Sequence, residues 1–156
     1  MQVNSEITET HSHQFATMGD AKQFALAGNA TITLESLKTG THFTFKIREK
    51  ESNNPNGGTI HFVSLLRGPN NEADFTYIGL IREGRFTLTK ASKVSADAPS
   101  FKAFDYFWNK TNGAIPPQLV VHHEMRCGRC NRTLTVPSSI TRGIGPDCAE
   151  LMGLDL

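Results

Sequence analysis

Apolar and polar residues alternate with a period of two in two consecutive segments, residues 30–35 and 42–48. This alternation is typical of strands with one buried and one exposed face. The apolar positions are Ala30, Ile32, Leu34, Phe43, Phe45 and Ile47. On the second strand the polar face carries His42, Thr44, Lys46 and Arg48. A turn at residues 37–40 joins the two segments, so the pattern predicts a β-hairpin.

Three further strands are predicted after the hairpin. Residues 59–66 and 75–81 are apolar at both alternating sets of positions, which indicates central strands covered on both faces. Glu83 and Gly84 predict a tight reversal into a short alternating strand at residues 85–89. The result is an antiparallel β-meander of about five strands.

Two helices are predicted to pack on this sheet. Asp20 is the expected cap of a short helix that ends at Gly28. A second helix is expected to begin near Asp97 or Ser100 and to run to about Lys110. It carries an aromatic stripe formed by Phe101, Phe104, Phe107 and Trp108. Such a stripe is more typical of core packing than of a platform on which bases stack.

Composition narrows the class of protein. Of the 156 residues, 38% are apolar and 20% are charged, as in soluble globular proteins. The net charge of +1 gives no overall field that would attract nucleic acid or a membrane surface, so any such site must be local. The chain shows no secretory signal, membrane span or lipidation signature, and we expect a cytoplasmic protein with no membrane partner.

The three cysteines all lie after residue 126, and their spacing favours metal ligation over disulfides. Cys127 and Cys130 form a CxxC pair, whose spacing lets two thiolates reach one tetrahedral ion from a tight knuckle. Cys148 follows Gly145-Pro146-Asp147, which predicts the first turn of a short helix, where the backbone dipole favours a thiolate. The pattern therefore predicts three sulfur ligands.

The fourth ligand is expected to be a histidine. His122 and His123 both lie on a strand-like run at residues 118–123, and alternation points them in opposite directions, so only one of them is expected to ligate. Four protein ligands would close the coordination sphere, which predicts one structural Zn²⁺ per chain. A redox role for the CxxC pair is the alternative, but the strand-like, polar residues 131–139 do not form the helix that such pairs usually open.

The segments HEMRCGRCNR (123–132), LTVPSSI (134–140) and GIGPDC (143–148) resemble a small uncharacterised zinc-ribbon-like domain family common in tailed-phage and prophage proteins. In that family one histidine and three cysteines are the presumed ligands, so the resemblance implies His123, Cys127, Cys130 and Cys148 here. Asn131 stands where the family usually has glycine. The FTFKI strand and the FVSLLRGPNNEADFTYIG segment also look like the usual partner of this module. The resemblance implies a phage origin and a cytoplasmic location in the host cell.

The predicted fold class is therefore α+β, an antiparallel β-meander with packed helices followed by a small C-terminal zinc-ribbon or knuckle module. We expect a flexible lead-in at residues 1–19, the α+β body at residues 20–115, and the zinc-binding module at residues 116–156. The boundary lies near Pro116 and Pro117, which interrupt regular structure.

Basic residues around the predicted metal favour a nucleic-acid partner, either DNA or RNA. The candidate contacts are Arg126, Arg129, Arg132 and Arg142, and residues 125–146 contain no acid. The alternative partner is a host or defence protein, contacted through the polar loops at residues 49–58 and 67–74. The oligomeric state is not predicted.

An enzyme is not expected. The chain has no phosphate-binding glycine motif, nucleophile elbow or paired-carboxylate signature, and no catalytic residue is assigned. His61, with Ser64, Glu72 and Asp74 nearby in sequence, is expected to be an ordinary buried histidine.

Overall fold

The computed structural model describes residues 13–51, 58–67, 75–111, 113–124, 126–132, 134 and 137–154. Within these residues seven strands form one antiparallel sheet in the order β1-β7-β2-β3-β4-β5-β6. The strands are β1 (His13–Gln14), β2 (Asn29–Ser36), β3 (His42–Glu51), β4 (Thr59–Leu66), β5 (Phe75–Arg82), β6 (Arg85–Thr87) and β7 (Leu119–His123). The helices are α1 (Met18–Ala25), α2 (Pro99–Asn109), α3 (Pro137–Arg142) and α4 (Pro146–Leu151). The chain is thus α+β, as predicted.

Strands β2 to β6 form the predicted meander, because each pairs with the next in the chain. The prediction of about five strands was too low, since β7 pairs with the free edge of β2 and β1 pairs with β7. In this register Ile32 lies opposite both Phe45 on β3 and His123 on β7. The strand-like run at residues 118–123 therefore belongs to the same sheet as the meander. The proposed division of the chain near residue 115 stays a prediction.

The helix starts differ from those predicted. Helix α1 begins at Met18, because Thr17 rather than Asp20 is its cap: the Thr17 hydroxyl accepts a hydrogen bond from the Asp20 N–H at 3.1 Å. Helix α2 is preceded by Ala98, and neither Asp97 nor Ser100 caps it. Proline at its first position has a fixed φ that suits a helix, so this end forms without a side-chain cap.

One face of the sheet, which we call the inner face, carries the hydrophobic core. Phe45 projects from β3, and its ring centroid lies 5.1 Å from that of Phe104 on α2. Phe104 also contacts Phe86 on β6 at 4.6 Å. The indole N–H of Trp108 donates to the carbonyl of Gly84, 3.2 Å away. All four aromatic residues of the α2 stripe are buried, which confirms that this stripe packs in the core.

The opposite face, the outer face, corrects the prediction that β4 and β5 are covered on both sides. Phe62 on β4 and Tyr77 on β5 are only half-buried, and both line an open cavity. The cross-strand register places Arg48 beside Phe62 and Ser64 beside Tyr77. The apolar residues on both sides of β4 and β5 therefore supply the core on one face and a half-buried aromatic surface on the other.

The two ends of the predicted body also differ from expectation. Residues 13–19, assigned to the lead-in, contribute β1, the buried Phe15 and the first turn of α1. Strand β3 continues to Glu51, so the loop predicted at residues 49–58 begins later than expected. Residues 52–57 and 68–74, the central parts of the two candidate contact loops, lie outside the described residues. None of the helices in the described ranges has the length and apolar character needed to span a membrane.

Gly79 is the position at which a small substitution tests the sheet packing most directly. A Cβ there would lie 2.6 Å from the Thr87 carbonyl oxygen and 2.8 Å from the Phe86 ring. Since the first of these atoms is backbone, we expect Gly79→Ala to lower the free energy of unfolding by about 1 to 3 kcal/mol. Urea denaturation followed by circular dichroism measures the change.

Gly19→Ala is the matched control, because a Cβ at Gly19 in α1 would meet nothing within 4 Å. We expect this variant to be unchanged or more stable by up to about 1 kcal/mol. Equal stabilities for the two variants would contradict the close approach of β5 and β6 at Gly79.

Candidate metal centre

Residues 126–132 form a tight turn, here called the knuckle, that brings Cys127 and Cys130 together. The N–H of Cys127 donates to the Arg132 carbonyl at 2.8 Å, and the N–H of Asn131 donates to the Cys127 carbonyl at 2.9 Å. Asn131 has a φ of 67°, in the left-handed region. Asparagine tolerates this region better than most residues, which explains how it can replace a glycine here.

Cys148 reaches the knuckle from α4. This helix begins at Pro146 after Gly145, so Cys148 lies in its first turn, as predicted. The helix that precedes it, α3, begins at Pro137, so residues 137–139 are helical and not strand-like as predicted. Proline fits the first turn of a helix because its missing N–H would be unpaired there in any case.

The three thiols form a compact group. The sulfur atoms of Cys127, Cys130 and Cys148 all lie within 4.8 Å of one another, and none of the three is in a disulfide. Cys127 and Cys148 are buried, whereas Cys130 is exposed. Three cysteines this close together could bind a metal ion. Among the described residues, no histidine, aspartate or glutamate completes the group.

Hydrogen bonding differs among the thiols. Burial opposes ionisation of Cys127, but the backbone N–H groups of Gly145, Cys130 and Arg129 outweigh it and lower the pKa of this thiol. The Arg129 N–H lies 3.4 Å from the Cys127 sulfur. The pKa of Cys148 is raised, chiefly by burial and despite a hydrogen bond from the Arg129 side chain.

The Arg129 guanidinium contacts the sulfur group, and its assignment as a nucleic-acid contact stays a prediction. Its Nη1 lies 3.6 Å from the Cys148 sulfur. A positive charge in this position favours the thiolate form that binds metal. Nothing local in the sequence indicates this contact, because it joins residues 19 positions apart.

Phe24 on α1 holds the knuckle against the body, a role that sequence reasoning missed. A Cβ at Gly128 would lie 2.7 Å from the Phe24 ring, and one at Gly143 would lie 2.5 Å from it. The Gly128 carbonyl accepts a hydrogen bond from the N–H of Asn29 at 2.7 Å, at the start of β2. The glycines allow a close approach that any side chain would block.

The two histidines of β7 point in opposite directions, as the alternation predicted. His123 faces inward and is 1% exposed, and its Nε2–H donates to the Ile140 carbonyl at 2.8 Å. Its ring lies against Phe15 and Phe24 at 4.9 and 5.4 Å. Burial is the main reason that its pKa falls to about 4, so His123 is neutral at pH 7. It lies outside the group of thiols, and its assignment as the fourth ligand stays a prediction.

His122 lies on the outer face, where its Nε2–H donates to the Glu35 carboxylate at 2.9 Å. The contact joins residues 87 positions apart, so only the β2–β7 pairing reveals it. His61, in contrast, donates to the Leu26 carbonyl at 3.2 Å and lies 3.7 Å from Glu49. Of the residues considered with His61, Glu72 and Asp74 lie outside the described part of the chain.

The candidate arginines are distributed around the knuckle. Arg126, Arg129 and Arg132 are exposed, and Arg142 at the end of α3 is half-buried. Arg126 donates to the Asn131 carbonyl at 3.2 Å, which leaves other N–H groups of its guanidinium for further contacts. Three of the four arginines therefore lie on the same seven-residue turn.

The comparisons with known proteins concern only the C-terminal part of the chain. Residues 118–153 match the profile of a protein family described as a Family of unknown function (DUF6011). The matched segment begins at the start of β7 and contains the knuckle, α3 and α4. No curated protein and no solved structure matches the chain. The match therefore agrees with the resemblance to an uncharacterised family and assigns no activity.

Proposed function

We propose that this chain binds one structural Zn²⁺ through its three cysteines and contacts nucleic acid through the arginines of the knuckle. The observation that carries the proposal is the approach of three thiol sulfurs to within 4.8 Å of one another. Around a tetrahedral Zn²⁺, with Zn–S distances of about 2.3 Å, sulfurs are separated by about 3.8 Å. Separations of up to 4.8 Å among the three sulfurs are thus close to the spacing that zinc requires.

Zinc is favoured over other metals by the ligand type. Thiolates select zinc, copper(I) and iron–sulfur clusters, whereas calcium and magnesium prefer oxygen ligands. Helices α3 and α4 contain six residues each, which is too short for stability in isolation. A metal that joins the knuckle to α4 would hold this segment together, which is a structural role.

The nucleic-acid part of the proposal rests on charge. Arg126, Arg129 and Arg132 are exposed within one turn, and residues 125–146 contain no acid to pair with them. Guanidinium groups bind phosphate oxygens through paired hydrogen bonds. Because Arg129 also contacts the Cys148 sulfur, Arg132 is the clearer phosphate ligand. Origin in a phage or prophage, implied by the sequence resemblance, forms part of the same proposal.

The metal is tested by the zinc content of purified protein. We expect about one zinc per chain in the parent protein and a loss of most of it in Cys127→Ser and Cys148→Ser, since a neutral hydroxyl is a poor zinc ligand. Asp147→Asn is the control, because Asp147 adjoins Cys148 but does not belong to the thiol group. Full zinc content in the serine variants, measured by plasma mass spectrometry, would place the metal elsewhere.

The fourth ligand is tested by the two adjacent histidines. If His123 ligates, His123→Gln should weaken zinc binding by about 10- to 100-fold or more, whereas His122→Gln should leave it unchanged. Competition with a chromogenic chelator gives the affinity. Should both variants keep parental affinity while only His123→Gln is destabilised, His123 acts as a core residue that bonds to Ile140.

Nucleic-acid binding is tested across a salt series with zinc-loaded protein. Arg132→Ala should weaken binding and reduce the slope of log affinity against log salt by about 0.7 to 0.9, which corresponds to one phosphate contact. Lys102→Ala removes an exposed cation from α2 and should change neither quantity. If no oligonucleotide is retained at low salt, the nucleic-acid proposal fails, and recovery of a host protein then becomes the test of the alternative partner.

A further inference from the structure

The outer face of β3, β4 and β5 combines a row of cations with half-buried aromatic rings. Three successive outer-face positions of β3 are basic: Lys46, Arg48 and Lys50. The neighbouring strands present Phe62 on β4 and Tyr77 on β5. These residues line or adjoin a cavity of about 620 Å³. This surface is distinct from the thiol group and uses none of its residues.

The rings of Phe62 and Tyr77 meet edge to face, and both residues line the cavity. The centroids of Phe62 and Tyr77 lie 5.6 Å apart with their planes at 89°, and both residues are half-buried. The Tyr77 hydroxyl is 2.9 Å from that of Thr89, which fixes the orientation of the ring. Rings fixed in this way lose little conformational entropy when a flat ligand stacks on them.

Two lysines lie directly over aromatic rings of this face. The Lys50 Nζ is 5.5 Å from the Phe62 centroid, and the Lys46 Nζ is 5.3 Å from that of Phe75. A base could replace the Lys50 ammonium over the Phe62 ring, and the flexible lysine side chain would then bind the adjoining phosphate. Repeated units of one planar group and one negative charge match this arrangement, and such units make up single-stranded nucleic acid.

Charge on the face is strongly one-sided. Among the described residues that line the cavity, Glu49 is the one acid, and its carboxylate lies 3.7 Å from the His61 ring. Arg48 and Lys50 are exposed. A second copy of the same face would repel this row of cations, so self-association through the face is disfavoured. The charge instead favours an anionic ligand.

We propose that the outer face binds single-stranded nucleic acid, with bases stacked on Phe62 and Tyr77 and phosphates bound by Lys46, Arg48 and Lys50. Duplex DNA does not fit this chemistry, because its bases are already stacked and cannot reach the rings. The inference deepens the proposed function by naming the form of nucleic acid, and it rests on a second set of residues.

The test uses the zinc-loaded full chain and a fluorescent deoxythymidine oligomer of about ten nucleotides, followed by anisotropy. Phe62→Leu and Tyr77→Leu keep apolar bulk and remove the aromatic face, so each should weaken binding about ten-fold or more. Tyr106→Leu is the matched control, because Tyr106 is an exposed ring on α2. Thermal unfolding and zinc content establish that each variant is folded.

The cations are tested in the same assay. Phosphate contacts at Lys46, Arg48 and Lys50 contribute about −2 to the slope of log affinity against log salt, and Arg48→Ala should lower its magnitude by about 0.7. Arg48 is exposed, so this variant is expected to fold even if a ring variant does not. Lys102→Ala, on α2, should leave the slope unchanged.

The outcomes separate this inference from the proposed function. Loss of single-strand binding in the ring variants, with Arg132→Ala unchanged, supports the outer face and overturns the role of the knuckle. If only Arg132→Ala loses single-strand binding, the role of the knuckle is supported and the role of the outer face is overturned. If thymidine monophosphate binds as tightly as the oligomer, the ligand of the face is a small molecule and not a strand, and the inference is overturned. If no oligomer binds at all, both proposals are overturned.

Discussion

The pairing of β7 with β2 is the constraint on which the C-terminal half of the structure depends. It joins residues about 90 positions apart and fixes which side of each β7 residue faces the core. With Ile32 opposite His123, the histidine points into the inner face and its neighbour His122 points out. The knuckle begins three residues after β7 ends, so its position against α1 follows from the same register. A slip of one residue would exchange the two histidines and separate the cysteines from Phe24.

Contact between the knuckle and α1 is unusually close because of its glycines. Gly128 and Gly143 both approach the Phe24 ring, and the N–H of Gly128 donates to the Gly143 carbonyl at 2.8 Å. These contacts bring the chain on either side of α3 together, so Cys148 returns to the CxxC pair. Packing on Phe24 and backbone hydrogen bonds therefore contribute to the position of the thiol group.

Local patterns predicted the parts of the fold that local interactions determine. The hairpin of β2 and β3, the bounds of β4 and the reversal at Glu83-Gly84 all appear in the alternation and turn residues. Strand β1 was not predicted, because a two-residue strand has no period. The position of β7 at the edge of β2 was not predicted either, because pairing between distant segments leaves no local signal. The starts of α1, after Thr17, and of α2, at Pro99, were also not predicted correctly, since several possible capping residues lie close together in each segment.

The sequence predicted the three thiols of the candidate site but not the residues that contact them. Cysteine spacing alone indicated the three thiols, because CxxC geometry and the first turn of α4 are local. The roles of Phe24 and Arg129 come from contacts across the fold and could not be read from spacing. The outer face had a partial signal: apolar residues at both alternating positions of β4 and β5. We interpreted that pattern as burial on both faces of the sheet, which it more often indicates in central strands.

The two proposed surfaces depend on metal to different extents, because different interactions hold them. Strands β3, β4 and β5 pair with one another along most of their lengths and pack on α2 through Phe45 and Phe86, so the outer face needs no residue of the thiol group. The knuckle and α4 have few buried side chains apart from Cys127, Cys148 and Ala149. If the chain binds the proposed metal, its loss would therefore disorder the arginine-bearing turn before it affected the sheet. Nucleic acid bound through the knuckle should be sensitive to chelators, whereas single strands stacked on Phe62 and Tyr77 should remain bound.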